Sequence, residues 1–287
     1  MGAIFRHELR NYFHSLTAYV FGAFLLAVIG IGAMLYHLEA AVSNFEFVLS
    51  FASIIFVVIV PILTMRTMAE ERRQRTDQLL YSLPITTTQV VLGKYLALLV
   101  VYLIPLAVIS LYPLLFSRFG DVYLPTSYGS LFAFFLMGAA LLAVGMFLSS
   151  LTDNQGFAAG IGIAAILLNY YSVSLAEYTS STAMGSLIAL YVIALLLGVV
   201  IHNLTRNENL AYGVTLVLIA ALSVAYFVNS SAFEGLLPDI MTKLSLFRQF
   251  NSFVNGAFDL TAIVYYVSVM GFFLFLSVQS MEKRRYN

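Results

Sequence analysis

The chain contains no cysteine among its 287 residues. That absence excludes disulfide bonds, thiol catalysis and cysteine-ligated metal sites. Charged residues are also scarce, at 10% of the chain, whereas soluble proteins carry about 25%. The net charge is zero, and no basic patch with interleaved aromatic residues is present. Nothing in the sequence therefore points to a nucleic-acid partner.

The sequence also lacks the motifs of an ATPase or a hydrolase. It has no GxxxxGK[ST] loop, no HExxH motif and no nucleophile–base pair at a spacing that would hold the two together. We therefore predict no catalytic residue, no metal site and no cofactor in this chain. His7 and His14 are interpreted as side chains at the membrane interface rather than metal ligands.

Apolar residues dominate what is present. They make up 61% of the chain, and the mean hydropathy is +0.92, which predicts an all-α, polytopic membrane helix bundle. We predict about eight spans within one transmembrane domain, residues 1–287, because eight apolar runs approach the length of a bilayer crossing. They lie at about Ala18–Leu38, Phe47–Met65, Tyr95–Phe116, Tyr128–Ser150, Gly156–Val173, Gly185–His202, Leu210–Val228 and Leu260–Ser280.

Three features inside or beside the spans carry further local predictions. Proline should bend the second span at Pro61 and the third at Pro105 and Pro113. In the turn before the fifth span, Asp153 is interpreted as a helix cap rather than a catalytic residue. The fifth span begins with small residues, which let helix backbones approach closely in lipid.

Two further segments have apolar residues at helical spacing but are too polar to span a membrane. Residues 1–17 are predicted to form an amphipathic helix in the headgroup plane. Residues 229–258 are predicted to form one or two amphipathic helices at the outer surface.

One polar segment, residues 66–94, interrupts the apolar runs. It holds five of the fourteen Lys and Arg residues, which by the positive-inside rule places it, and with it both termini, in the cytoplasm. Thr76 can cap a short helix with Asp77 in its first turn. Leu79 and Leu80 give that helix an apolar edge, and Pro84 ends it. Thr86 and Gln89 then form a capping box for the next helix. On pattern alone, a plain loop that joins two spans also fits.

The residues of this segment resemble the region between the second and third helices of type-2 ABC exporter permeases. The resemblance is carried by Glu70-Glu71, Thr76, Leu79-Leu80, Pro84 and Val91-Leu92-Gly93-Lys94. The turn Ser149–Gln155 is similar to a second part of that family. The end of the chain, with Phe253, Gly256, Asp259, Leu260 and a basic terminus, resembles the gliding-motility-type subgroup. Arg75 stands where the family usually has glycine, so a softer bend is expected there.

The resemblance implies that residues 66–94 carry a coupling helix that docks into a separate ABC ATPase subunit. The expected docking residues are Glu70, Glu71, Arg72, Thr76, Asp77, Leu79, Leu80 and Pro84. It also implies two ATPase subunits, which bind the ATP and Mg, and a second permease subunit that is a copy or a homologue. The chain is then a multi-pass protein of the plasma (inner) membrane, in contact with lipids. Residues 174–235 are the stretch least typical of the family.

In the family, the second and fifth helices face a central cavity between the permease subunits. The resemblance therefore predicts a translocation path beside Ser50, Ser53, Asn169 and Tyr170. These groups offer hydrogen bonds without fixed charge, which suits an amphipathic, lipid-like or peptide-like substrate. The alternative is that Asn169 bonds a neighbouring helix and the tyrosines form an interfacial belt.

An ion-coupled secondary transporter is the alternative function. Such carriers place ionisable residues near the middle of the bilayer. In this sequence every acidic residue falls in a loop or at the end of a span, which favours the permease.

Overall fold

The structure is a computed structural model that describes residues 1–40, 42–74, 76, 85–205 and 207–285. The regular elements in these ranges are all helices, as the sequence predicts. Fourteen of them are used below. They are α1 Gly2–His14, α2 Leu16–Ala33, α3 Phe45–Ser53, α4 Phe56–Thr64, α5 Ala69–Gln74, α6 Thr87–Ile109, α7 Leu111–Phe116, α8 Leu124–Ser149, α9 Gln155–Glu177, α10 Ala183–Thr205, α11 Glu208–Val228, α12 Leu236–Lys243, α13 Leu246–Val254 and α14 Leu260–Arg285.

The number of spans depends on two elements. By length and hydropathy, six of the described helices could cross a bilayer, and the bent pair α3–α4 would make a seventh. Helix α10 contributes a described apolar stretch of Ala183–Val199 and would be the eighth. A membrane bundle is thereby confirmed, and the count of eight requires both α3–α4 and α10 to cross.

Two compact units divide the chain. The first comprises Met1–Tyr170 with Gln249–Asn287, and the second comprises Tyr171–Arg248. In the first unit, α8 is the central helix and packs against α3, α4, α6 and α14. Large apolar side chains remain exposed along the outer faces of the helices, where a bilayer would cover them.

In the second unit, α10 and α11 pack along each other. Tyr191 and Ser223 share a hydrogen bond of 2.7 Å between their hydroxyl groups. Gly198 leaves room for Thr215, whose side chain occupies the place of a Cβ atom. The two runs predicted here as spans are helices, and α12 and α13 are helices within residues 229–258. The position of that segment at the outer surface stays a prediction.

The bend in the second predicted span lies earlier than expected. The angle between α3 and the helix that follows is 58°, and the break falls at Ile54 and Ile55, whereas Pro61 lies inside α4. Pro61 cannot donate to the carbonyl group of Val57. The backbone N–H groups of Val57 and Val58 bond to residues three positions back, so the helix loosens one turn before the proline.

The third predicted span is broken near its second proline. Helix α6 ends at Ile109 and α7 begins at Leu111. Pro113 cannot donate to the carbonyl group of Ile109, which explains the break there. Pro105 is accommodated inside α6.

Candidate functional site

The candidate site is the end of the first unit from which residues 66–94 extend. Helix α4 leads through the turn Met65–Met68 into α5, which we call the coupling arm. The chain returns through Ile85 and Thr86 into α6. Asp77, Leu79, Leu80 and Pro84, all predicted docking residues, lie outside the described residues.

Ser149 at the end of α8 fixes the start of the coupling arm. Its Oγ accepts hydrogen bonds from the backbone N–H groups of Met68 and Ala69, both at 3.2 Å, and donates to the carbonyl oxygen of Met65 at 3.0 Å. These N–H groups belong to a helix start and have no partner within the helix. Because Ser149 is fully buried, water does not compete for these hydrogen bonds, and they fix the position of the first residues of the arm.

A second contact ties the coupling arm to α14. The guanidinium group of Arg72 donates to the hydroxyl group of Ser280 at 3.4 Å, and Ser280 donates to the carbonyl oxygen of Ser150 at 3.0 Å. Arg72 is only 9% exposed. Its side chain therefore faces the interior of the helix bundle in the isolated chain.

A buried cluster of charges forms the third anchor. The Nζ of Lys94 lies 2.7 Å from the Oε1 of Glu8 and 2.7 Å from the Oε1 of Glu71. It also donates to the carbonyl oxygen of Thr67 at 3.0 Å. The side chain of Lys94 is 1% exposed, so this ammonium group joins three parts of the chain away from water: α1, the turn before α5, and α5 itself.

Tyr12 extends the contact along α1. Its hydroxyl group shares a hydrogen bond of 3.2 Å with the Oγ1 of Thr67. Burial raises the pKa of Tyr12 to about 12, so the phenol stays protonated at neutral pH. A cavity of about 600 Å³ opens beside this contact, between α1 and residues 66–76.

The return into α6 carries the predicted cap. Thr86 accepts from the backbone N–H of Gln89 at 3.3 Å, which confirms the helix start at this position. Thr87 donates to the Oε1 of Glu282 on α14 at 2.8 Å. The coupling arm therefore contacts α14 through Arg72, and the start of α6 contacts it through Thr87.

The remaining predicted docking residues are less buried. Glu70 accepts from the side-chain amide of Gln74 at 3.3 Å. Thr76 donates through its hydroxyl group to the carbonyl oxygen of Glu71 at 3.3 Å. Glu71 faces Lys94, with a side chain 22% exposed. The docking roles stay predictions, and the structure gives Glu71 and Arg72 an anchoring role within the chain.

The cap of α9 differs from the sequence prediction. Asn154, rather than Asp153, accepts from the backbone N–H groups of Gly156 and Phe157, at 2.9 and 3.3 Å. Helix α9 begins at Gln155, which puts Asn154 at the capping position and Asp153 one residue too early. Asp153 instead pairs with Arg284 at 2.8 Å.

The predicted translocation residues fall on α3 and α9. Ser53 donates to the carbonyl oxygen of Ser50 at 2.7 Å and is 6% exposed, so its hydroxyl group is used within its own helix. Asn169 and Tyr170 are half-buried on α9. A role for these four residues in a path stays a prediction.

Helix α9 approaches α4 closely at one of its small residues. A Cβ atom on Gly162 would lie 3.0 Å from the Cβ of Pro61, which confirms the predicted use of a small residue for backbone approach. Gly160 is exposed, and no atom lies within 4 Å of where its Cβ would be.

Residues 35–176, about half of the chain, match the family described as ABC-2 family transporter protein. The chain belongs to the ABC-2 transporter family. The match includes the coupling arm, its anchors Ser149 and Lys94, and the turn Ser149–Gln155, and it confirms the resemblance to type-2 ABC permeases. Assignment of this ABC-2 protein to the gliding-motility-type subgroup stays a prediction. No curated protein and no solved structure matches the chain.

Sequence reasoning on this ABC-2 protein missed the anchors. A signal for one of them was present, because a lysine near the start of an apolar helix requires a counter-charge, and only a few carboxylates were available. Nothing local marks Ser149 as the partner of a helix start 80 and 81 positions away.

Proposed function

We propose that the chain is the transmembrane permease subunit of an ATP-driven ABC exporter. A separate ATPase subunit binds ATP and Mg and docks on residues 66–94, and a second permease subunit, a copy or a homologue, completes the membrane part. The observation that supports this function is the position of the coupling arm. Within the stretch matching the ABC-2 family, Ser149, Arg72 and Lys94 anchor it to the bundle through buried polar contacts.

The ion-coupled transporter is less well supported. It would need exchangeable charges along a path in the bilayer. Glu8 and Glu71 instead both bond to Lys94 in the first half of α6. The buried carboxylate of Glu46 lies in the first turn of α3 and accepts from Ser127 at 3.1 Å. Family membership also favours the permease.

Leu80→Asp is expected to abolish co-purification of the ATPase. Burial of Leu79 and Leu80 in a partner cleft would contribute about 1.5 to 3 kcal/mol each, before the cost of association, and a buried carboxylate would reverse that gain. The measurement is recovery of the ATPase on a tagged permease, together with its substrate-stimulated hydrolysis.

Leu244→Asp is the matched control, because Leu244 is 56% exposed and lies in the segment proposed to be outside. Unchanged ATPase recovery with Leu80→Asp would contradict the proposal that the ATPase docks on residues 66–94.

We propose a plasma-membrane location with both termini in the cytoplasm. The chain has no natural cysteine, so single introduced cysteines can be labelled cleanly. A membrane-impermeant maleimide added outside is expected to label Thr179→Cys and to spare Asn207→Cys. The reverse pattern would contradict the proposed crossing of α10 and α11.

We further propose that the substrate is amphipathic, a lipid-like molecule or a hydrophobic peptide, and that it passes beside Asn169 and Tyr170. Replacing both residues with leucine is expected to abolish export while ATPase association and basal hydrolysis persist. Tyr178→Leu, at a side chain that is 87% exposed, is the control. Unchanged export, or loss of assembly, would assign the pair to packing instead.

A further inference from the structure

Helix α1 makes two polar contacts at this site, one helical turn apart, the first to α6 and the second to the turn before the coupling arm. Glu8 reaches Lys94 at 2.7 Å, and Tyr12 reaches the side chain of Thr67 at 3.2 Å. Glu8 and Tyr12 are the two buried residues of α1. The buried face of α1 therefore carries two polar contacts, one to Lys94 on α6 and one to Thr67 in the turn before α5.

Lys94 connects that face to the arm. A lysine ammonium group has three hydrogen-bond donors, and Lys94 donates to Glu8, Glu71 and the carbonyl oxygen of Thr67. Since all three donors are used, a shift of Glu71 or of Thr67 relative to Glu8 must stretch at least one bond to Lys94.

The packing beside Lys94 is equally close. A Cβ atom on Gly93 would lie 3.1 Å from the Cγ2 of Ile4 and 3.5 Å from the carbonyl oxygen of Met1. A Cβ atom here would force Ile4 to shift by a few tenths of an ångström, so the glycine favours the close approach of α1 to α6. Helix α1 therefore packs against α6 at Gly93, next to Lys94.

Stability alone does not explain a buried charge cluster. Removing charged groups from water has a desolvation cost that their mutual attraction often fails to exceed, and apolar residues of similar volume hold helices together at least as well. Ionic contacts differ from apolar ones in fixing direction and distance. The cluster is thus suited to holding α1 and the coupling arm in one arrangement.

We propose that Glu8 and Tyr12 are positioning residues that make α1 move with the coupling arm. In this proposal, which rests on the proposed function, the ATPase displaces the arm, and Lys94 and Thr67 pass that displacement to α1. The amphipathic helix then shifts at the cytoplasmic membrane surface in each ATPase cycle.

The test places an environment-sensitive bimane fluorophore on α1. Arg6→Cys provides the site, because Arg6 is exposed and the chain has no other cysteine. The permease is labelled before the ATPase is added, and emission is compared in the nucleotide-free and vanadate-trapped complexes. We expect trapping to shift the emission of this otherwise unmodified chain.

The shift is expected to disappear in the Glu8→Met/Tyr12→Phe variant, in which neither side chain can bond Lys94 or Thr67. These changes preserve shape, and they leave Lys94 paired with Glu71 and Thr67, so no charge is stranded. ATPase recovery and basal hydrolysis should be unchanged. Glu8→Asp, which keeps the carboxylate, should retain the shift. Asp153→Asn, which removes a charge from an exposed pair, should also retain it.

A full shift in the double variant would overturn the proposal, as would an emission that does not respond to trapping in the unmodified complex. Failure of the unmodified chain to retain any ATPase would overturn the proposed function as well, which separates the two failures. If the double variant is not monodisperse, Glu8→Met and Tyr12→Phe are measured singly. Each is expected to reduce the shift, and a full shift in both would overturn the proposal.

Discussion

Replacing Lys94 with methionine is expected to destabilise the permease more than any other single charge removal at this end of the bundle. The ammonium group lies 2.7 Å from two carboxylates, and its loss removes the cation that Glu8 and Glu71 both contact. Breaking a buried pair by removing one partner costs about 3 to 5 kcal/mol. The measurements are the decrease in Tm and the decrease in the fraction of monodisperse protein in detergent.

The matched control is Arg284→Met. This change breaks the pair between Arg284 and Asp153, whose side chains are 38% and 58% exposed. Because water screens such a pair, the expected loss is below about 1 kcal/mol. A similar loss of Tm in the two variants would contradict the burial argument for Lys94.

A neutral triple variant separates charge from packing. Glu8→Gln, Glu71→Gln and Lys94→Met together remove the three charges of this cluster and nearly preserve volume, and removing a buried ion cluster as a whole is often neutral or stabilising when the replacements pack well. The triple variant is expected to recover most of the Tm lost by Lys94→Met alone. No recovery would mean that the lysine stem, rather than the charge, supports the site.

Features set by neighbouring residues were predictable from the sequence. Thr86 caps α6, and Asp259 caps α14 by accepting from the backbone N–H of Thr261 at 2.8 Å. Both caps involve residues two or three positions apart, so the pattern contains all the information. Asn154 shows the limit, since Asp153 and Asn154 are adjacent candidates for the cap and only the observed helix start at Gln155 assigns the role to Asn154.

Features set by distant residues were not predictable. Glu8 and Lys94 are 86 positions apart, and only the packing of α1 on α6 brings them together. The break at Ile54 and Ile55 has no glycine or proline of its own, and the nearest proline, Pro61, lies six residues beyond Ile55. The sequence therefore predicts which segment carries the site and leaves open what anchors it.

Helix packing supplies the second large effect. Gly138 on α8 faces the ring of Tyr102 on α6, and a Cβ atom at Gly138 would lie 2.5 Å from the phenolic oxygen. Tyr102 has no room to withdraw, because it is fully buried and its hydroxyl group donates to the carbonyl oxygen of Phe134 at 2.8 Å. Even a methyl group must push α6 and α8 apart.

Gly138→Ala is accordingly expected to destabilise the protein by about 1 to 3 kcal/mol, the usual cost of overpacking a tight core. The same substitution at Gly160 should have the opposite sign. No atom lies within 4 Å of a Cβ there, and alanine in a helix interior is about 0.5 to 1 kcal/mol better than glycine. Thermal unfolding in detergent measures both effects, as a lower Tm for Gly138→Ala and a higher Tm for Gly160→Ala. A stable Gly138→Ala protein would mean that Tyr102 can reorient and that the contact between α6 and α8 is looser than these distances require.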